Sequence, residues 1–358
     1  MESIAKAYGK ILVFGAYSIL EPGNIGLVVN IDKGTTATAQ ETTSGNIVID
    51  LSNFEIVVYG KIEGNRLILE KDPEILRYIK NAVDYSFQYL NYKKVRVKDL
   101  KLISYNDPEL YINKKLKTGF GSSATVTVST VAAILKLHDI DDKDLVYKLS
   151  KYSHYKSQGK LGSGFDISAA CYGSQYFIAK PIDFTDNFIK YIESDDIPIF
   201  ESFIWPLELF PVIIFTGSSA STEELIEKVM LYKRLNPEEY KDFIHKYNQI
   251  NLALKNAIDE NFRKRIKFFL EESWAMRREL GKITTTEIEP EKFTSMMQEM
   301  KKNGAMTAGL IGAGGGDSII ALCESEDNKA QLIEYLKRKK LTVFENVNIM
   351  SQGYEILR

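Results

Sequence analysis

At 358 residues the chain exceeds what one core of ordinary size supports, and its length suits one or two domains. Hydrophobic residues make up 44% and charged residues 26%, which excludes extensive disorder and fibrous repeats. The 46 basic and 48 acidic residues leave a formal net charge of −2, with no global field to draw nucleic acid or an anionic membrane, so any anion must be held locally.

Cys171 and Cys323 show no CxxC or Cys/His ligand spacing, so neither a disulfide framework nor a zinc site is expected, and a reducing cytoplasm fits this usage. His138, His154 and His245 form no HxxxH or HExxH pattern and each reads as a surface or helix-face residue. The amino terminus lacks a basic region followed by an unbroken apolar run and so does not read as a signal peptide. The apolar stretch from Phe203 to Phe215 is interrupted by Trp205-Pro206 and Glu208 and is too short to span a bilayer.

Along the chain, KILVF from Lys10 to Phe14 reads as a buried strand ending at Gly15, and Gly26 to Ala39 as two strands around Asp32-Lys33-Gly34. Glu55–Tyr59 and Leu67–Leu69 continue the β character. Ile75, Ile79, Val83 and Phe87 lie at helical spacing within Pro73–Leu90. Ser122 to Leu137 is almost uncharged, which predicts a helix buried on most sides and entered from a glycine turn. Asp141 or Asp142 caps the next helix, which stops before Gly159. Pro181 to Pro211 has no sustained period and holds the expected domain boundary, dividing residues 1–190 from 191–358. Beyond it come the strand PVIIF and helices near Thr222–Leu235, Glu239–Ile258 and Arg263–Leu280. The order after Pro290 is helix, strand, glycine turn, strand, helix, strand.

Two glycine loops carry the chemistry. KTGFGSSAT, Lys117 to Thr125, opens the buried helix: its glycines admit an anion to the backbone N–H groups, the helix terminus adds partial positive charge, and Ser122 and Ser123 offer hydroxyls to phosphate or Mg²⁺. The same string satisfies G-x-G-x-x-A with Asp139 some twenty residues on, but the preceding YINKKLK is a poor central strand for a dinucleotide fold, and no Walker sequence exists. A plain helix-capping turn is the remaining alternative. The second loop, GAGGGD from Gly312 to Asp317, is costly to order unless its backbone approaches a ligand or another loop.

KILVFGAYSILEPG, KTGFGSSAT and IGAGGGDSI together resemble, in content and order, the three motifs of the GHMP kinases, the family named for galactokinase, homoserine kinase, mevalonate kinase and phosphomevalonate kinase. Gly15-Ala16-Tyr17-Ser18-Ile19-Leu20, GSGFDI at Gly162–Ile167, TGSSAST at Thr216–Thr222 and IEP at Ile288–Pro290 resemble most its phosphomevalonate kinase branch. Departures are Tyr8 for the usual proline, Phe120 for leucine and Thr125 for alanine. The resemblance implies an α/β (α+β) two-domain fold, with a mixed-sheet N-terminal ATP-binding domain and a C-terminal ferredoxin-like domain. It also implies transfer of the ATP γ-phosphoryl group, with Mg²⁺, to a small molecule. For that branch the acceptor is 5-phosphomevalonate and the route leads to isoprenoids. Mevalonate kinase, another small-molecule kinase of the family, and a non-catalytic binding protein on the same fold are the alternatives. No nucleic acid or membrane partner is expected, and either a monomer or a homodimer is compatible.

By the same resemblance Lys10 is the lysine beside the transferred group and Asp166 the family aspartate. With a phosphate monoester as acceptor, little deprotonation is required, so Asp166 is expected mainly to orient Lys10 or the acceptor. As a bare sequence feature, Asp166 could equally cap the helix that follows it. Lys117, Gly119, Gly121, Ser122, Ser123 and Ala124 are the expected ATP-binding residues, with Ser122 also the metal contact and Glu63 or Glu70 candidate carboxylate ligands. Arg277 falls on or beside an apolar helix stripe, where a guanidinium needs an anionic partner, either the acceptor phosphate or an internal carboxylate. Lys156 and Lys160 are weaker candidates. Tyr17, Ser157, Ser163, Gly314 and Asp317 complete the expected acceptor contacts.

Overall fold

The computed structural model describes residues 1–63, 66–159, 162–181, 184–206, 208–218 and 221–358. Lys160, and Ser219 and Ala220 of the TGSSAST segment, lie outside the described residues.

Two long strands, β1 (Glu2–Phe14) and β2 (Ile25–Glu41), pair antiparallel from Glu2 opposite Gln40 to Phe14 opposite Leu27. The two strands expected around Asp32-Lys33-Gly34 are one. The polar residues do not turn the chain because they have partners along the strand: Gly34 stands opposite Tyr8, and Asp32 accepts the Asn348 N–H at 3.0 Å. After β3 (Ile47–Leu51), β4 (Ile56–Glu63), β5 (Arg66–Leu69) and α1 (Arg77–Tyr92), β6 (Leu100–Asn106) lies antiparallel to β2 and parallel to β3, so the sheet is mixed. The small hairpin of β7 (Tyr111–Ile112) and β8 (Leu116–Lys117) leads into the first glycine loop.

From that loop start α2 (Ser122–Leu137), α3 (Lys143–Gln158) and α4 (Phe165–Tyr172). Asp142 caps α3 by accepting the Leu145 N–H, and Gly159 ends it in the left-handed region. The nearly uncharged α2 is buried because α1 and α3 flank it and β1 and β2 lie beneath it. Ala5, Ala7, Ala37 and Ala39 let it approach the sheet closely, and Val128, Ile134 and Leu135 fill the space; full burial of such side chains contributes about 1.5–3 kcal/mol each.

The expected boundary region contains strands and a helix of its own. Following β9 (Gln175–Ile178), α5 (Phe188–Ile192) leads to β10 (Ile199–Ser202), which pairs with β9 at the edge of the first sheet. Then β11 (Phe210–Phe215) begins a second unit. Helices α6 (Thr222–Leu235), α7 (Pro237–Asp259), α8 (Arg263–Ile283) and α9 (Glu291–Lys302) precede β12 (Thr307–Leu310) and β13 (Ser318–Cys323), and α10 (Glu326–Arg338) precedes β14 (Thr342–Val343). The four strands form an antiparallel sheet in the order β12-β13-β11-β14. That is the ferredoxin-like arrangement, with the unit's first and third strands in the centre. Finally β15 (Ile349–Met350) and β16 (Glu355–Ile356) rejoin the first sheet beside β2 and β1.

The two units share one apolar cluster, in which Ile11, Val13, Val29 and Ile31 meet Ile213, Phe215, Leu270 and Trp274. Trp274 also donates from Nε1 to the Val13 carbonyl at 2.9 Å. Both cysteines are free and buried, and among the described residues no helix is long and apolar enough to cross a membrane.

At the far end of α2, His138 Nδ1 lies 2.8 Å from the Ile134 carbonyl while Nε2 accepts the Lys98 N–H at 3.1 Å. This pairing requires the neutral ring, and burial holds its pKa below 6.5. The unfolded chain therefore takes up the proton first. The associated stability is complete above pH 6.5 and is lost as pH falls from 6.5 toward the folded value, by at most about 1.4 kcal/mol per pH unit for one proton. Urea unfolding at pH 7.5 and 5.5 should show a smaller acid loss for His138→Gln than for the wild type; equal losses would contradict the assignment.

Candidate active site

The site is built around a break in strand register. Between Tyr8 and Lys10 the pairing of β1 with β2 slips, an irregularity that re-aims the side chain following it. Lys10 consequently binds the first glycine loop twice: its N–H donates to the Phe120 carbonyl at 2.9 Å and its Nζ to the Gly119 carbonyl at 2.9 Å. With two consecutive carbonyls turned to Lys10, the loop enters α2 through Gly121, whose φ of 81° is the left-handed N-cap. The N–H groups of Ala124 and Thr125 return to the Gly121 carbonyl, so the helix mouth presents those of Gly121, Ser122 and Ser123.

The Lys10 ammonium is partly buried at the cleft wall, 5.4 Å from the centre of the Phe165 ring. Burial pushes its pKa down, and the carboxylates of Asp166 and Asp317 oppose that shift. Asp166 stands in the first turn of α4, where its Oδ1 accepts the Ile167 N–H; Gly164 is the N-cap residue, so the capping role considered for Asp166 does not hold. Asp317 packs over Gly119, where a Cβ would sit 3.0 Å from its own, and its backbone joins the Thr216–Ser218 segment by 2.8 and 2.9 Å hydrogen bonds.

These groups open onto a cleft of about 440 Å³ between the two units. Gly119, Gly121, Ser122, Ser123 and Ser163 line it, as do Lys117 and Tyr17. Lys117 is exposed at the cleft, where desolvation by the cleft walls lowers its pKa and the nearby Arg77 guanidinium lowers it further. Ser122 Oγ accepts from Tyr111 at 3.0 Å, and the Tyr17 hydroxyl donates to the Ala313 carbonyl at 2.8 Å, tying the first strand's loop to the second glycine loop. Burial raises the Tyr17 phenol, keeping it protonated for that bond.

Other expected residues lie elsewhere. Ala124 is fully buried within α2. Ser157 Oγ is engaged inside the helical layer, donating toward the Arg77 and Ser153 carbonyls and accepting from Asn81. Gly314 packs on Ile288, whose carbonyl would be 2.3 Å from an added Cβ, so its glycine serves loop-to-loop contact. Arg277 is buried beneath that loop, where Nη1 donates to the Leu310 and Gly312 carbonyls at 2.8 and 3.1 Å while Nε and Nη2 have no hydrogen-bond partner among the described residues. Lys156 pairs with Asp186 at 2.5 Å. Glu63 pairs with Lys61 at 2.6 Å, and Glu70 follows β5; neither lines the cleft. Sequence reading missed Arg77, Glu223 and Glu227, which line it, and His154, buried beside Asp166; the capping pattern at Ser221 places the α6 pair, but nothing local marks the others.

An alanine at Gly121 would strain the left-handed backbone and place Cβ 2.9 Å from Lys10 Cε. Gly121→Ala should lower ATP turnover about 10²-fold, the cost of displacing a reacting group by an ångström, and destabilise by about 1–2 kcal/mol. Gly23→Ala supplies the comparison, because Gly23 has φ of 82° with nothing within 4 Å, and it should lose similar stability while retaining turnover. Kinetics with thermal unfolding of both variants check this; equal kinetic losses would contradict it.

Two family models match the chain, the GHMP kinase N-terminal domain over residues 77–174 and the GHMP kinase C-terminal domain over residues 255–341. The phosphomevalonate kinase of Saccharolobus solfataricus is 29% identical over 328 residues, covering 88% of each chain. The mevalonate kinase of Pyrococcus abyssi is 25% identical over 336 residues, covering 91% of this chain and 90% of its own. In fold, the Streptococcus pneumoniae phosphomevalonate kinase, solved with phosphomevalonate and AMPPNP, superposes with a TM-score of 0.76 at 19% identity over 98% of this chain and 99% of that one. With both terminal models placed on the two units that enclose the cleft, the chain belongs to the GHMP kinase family and is an ATP-dependent kinase.

Proposed function

We propose that the chain transfers the γ-phosphoryl group of ATP to the phosphate of 5-phosphomevalonate, giving ADP and 5-diphosphomevalonate in the mevalonate route to isoprenoids, and that it acts in the cytoplasm. The observation that carries this reading is Lys10, a partly buried ammonium tied to the glycine loop and faced by Asp166 and Asp317. Such a fixed charge stabilises what develops on a transferring phosphoryl group, and needs no reorganisation to do so.

Backbone N–H groups of Gly119 to Ser123, together with the helix terminus, would hold the nucleotide phosphates. Lys117 and Arg77, at the same cleft, supply further positive charge for a reaction that joins two polyanions. A phosphate monoester has a second pKa near 6 and reaches the site mostly as a dianion at neutral pH, so its oxygen attacks without prior loss of a proton. Asp166 then serves to orient Lys10 and the acceptor.

Magnesium fits this donor set: the described residues hold no cluster of three His, Cys, Asp or Glu, but a nucleotide-borne Mg²⁺ keeps waters and phosphate oxygens and needs few protein ligands. Ser122 Oγ would hold it with the phosphates, where it would neutralise their charge.

The mevalonate kinase of Pyrococcus abyssi, nearly as similar over as much of the chain, favours a second reading in which a hydroxyl is the acceptor and Asp166 its base. ADP release with 5-phosphomevalonate, with mevalonate and without acceptor separates the two. Turnover is expected with the phosphorylated acceptor alone, falling about 10²–10³-fold in Lys10→Ala and less than about tenfold in Asp166→Asn. Turnover with mevalonate and a loss of 10²-fold or more in Asp166→Asn would establish the hydroxyl reading instead.

A further inference from the structure

One imidazole stands between the phosphate loop and the carboxylate beside Lys10. His154 projects from α3 into the buried layer, with Nε2 3.1 Å from Ser123 Oγ and 3.8 Å from Asp166 Oδ2. Its ring centre is 5.2 Å from that of Tyr78, which lines the cleft. Burial pushes its pKa below 6.5; Asp166 opposes the shift, while Lys117 and Arg77 add to it, and the ring is neutral near pH 7.

A neutral imidazole has a single N–H. The carboxylate on the Nε2 side favours the tautomer that carries the proton there, because the hydrogen then faces a negative oxygen rather than a lone pair. Ser123 Oγ, within hydrogen-bond distance of that nitrogen, accepts. A hydroxyl that accepts from one side has its own hydrogen free for another, and Ser123 lines the cleft.

We infer that His154 is a positioning residue of this site: its Nε2–H sets the Ser123 hydroxyl as a donor toward a phosphate oxygen of the bound nucleotide and also faces Asp166 Oδ2. The inference rests on the kinase reading of the cleft. It extends to a side chain that touches neither nucleotide nor acceptor, and couples α3 to the two helices that carry the reacting groups.

The test is a double-mutant cycle on His154→Phe and Ser123→Ala, read as the Kd of AMPPNP by calorimetry without acceptor, and as KM and kcat for ATP with acceptor. His154→Phe should weaken AMPPNP binding about five- to tenfold, the worth of one hydrogen bond, and Ser123→Ala should do the same. The double variant should be no weaker than either single one. His154→Gln, which keeps an N–H at similar reach, should recover most of the affinity, a rescue that packing alone would not produce. Unchanged Kd in a folded His154→Phe, or losses that multiply in the double variant, would overturn the inference. If the phenylalanine variant does not fold, His154→Leu takes its place in the cycle with the same expected outcomes. Absence of turnover with every acceptor would fail the functional proposal while leaving the nucleotide-binding cycle readable.

Discussion

The structure depends on holding one ammonium, largely withdrawn from water, at the wall of the cleft. Lys10 is partly buried, and desolvation there works against its charged form. It is held by two kinds of group: the carbonyls of Gly119 and Phe120, bonded to its Nζ and N–H, and the carboxylates of Asp166 and Asp317. The first kind shapes the first glycine loop, because turning two carbonyls inward leaves the next N–H groups at the helix mouth. The second links three distant segments of chain, since Asp166 begins α4 and Asp317 ends the second glycine loop. A single charge thus organises the loop that would hold the nucleotide and the two carboxylates of Asp166 and Asp317.

The two-unit fold brings these segments together. β1 and β2 contribute to both sides: alanines near one end receive α2, while Ile11, Val13, Val29 and Ile31 near the other pack against the ferredoxin-like unit. Lys10 lies where these two uses of β1 meet, at the slip in register. The end of the chain strengthens the same region. Ser174, just past α4, accepts the Asn30 N–H at 2.7 Å and donates to the Met350 carbonyl at 2.5 Å, so β2, the Asp166 helix and β15 are tied at one hydroxyl. Arg277, buried under the second glycine loop, fixes the Leu310 and Gly312 carbonyls in a comparable way.

Much of this was legible in the sequence because the signals were local. The uncharged run after KTGFGSS marks α2 within its observed limits, Asp142 and Gly159 mark both ends of α3, and the order of elements after Pro290 is the order found. What the sequence concealed depends on distant partners. Asp32-Lys33-Gly34 has the composition of a turn, yet remains strand because Asn348 and Tyr8 meet it across the fold. His154 carries no motif; its neighbours Ser123 and Asp166 reach it only after three helices pack. Arg277 was recognisable as a buried cation, whereas the two backbone carbonyls that receive its Nη1 have no side-chain signature.

We propose that Lys10, locked to the glycine loop, stands between the donor and acceptor phosphates. A crystal structure of the protein with AMPPNP, Mg²⁺ and 5-phosphomevalonate tests it most directly. That complex should show nucleotide phosphates on the N–H groups of Gly119 to Ser123 and Lys10 Nζ within hydrogen-bond distance of both the γ-phosphoryl group and the acceptor phosphate. Phosphates bound elsewhere in the cleft, or an acceptor phosphate held away from Lys10, would contradict it.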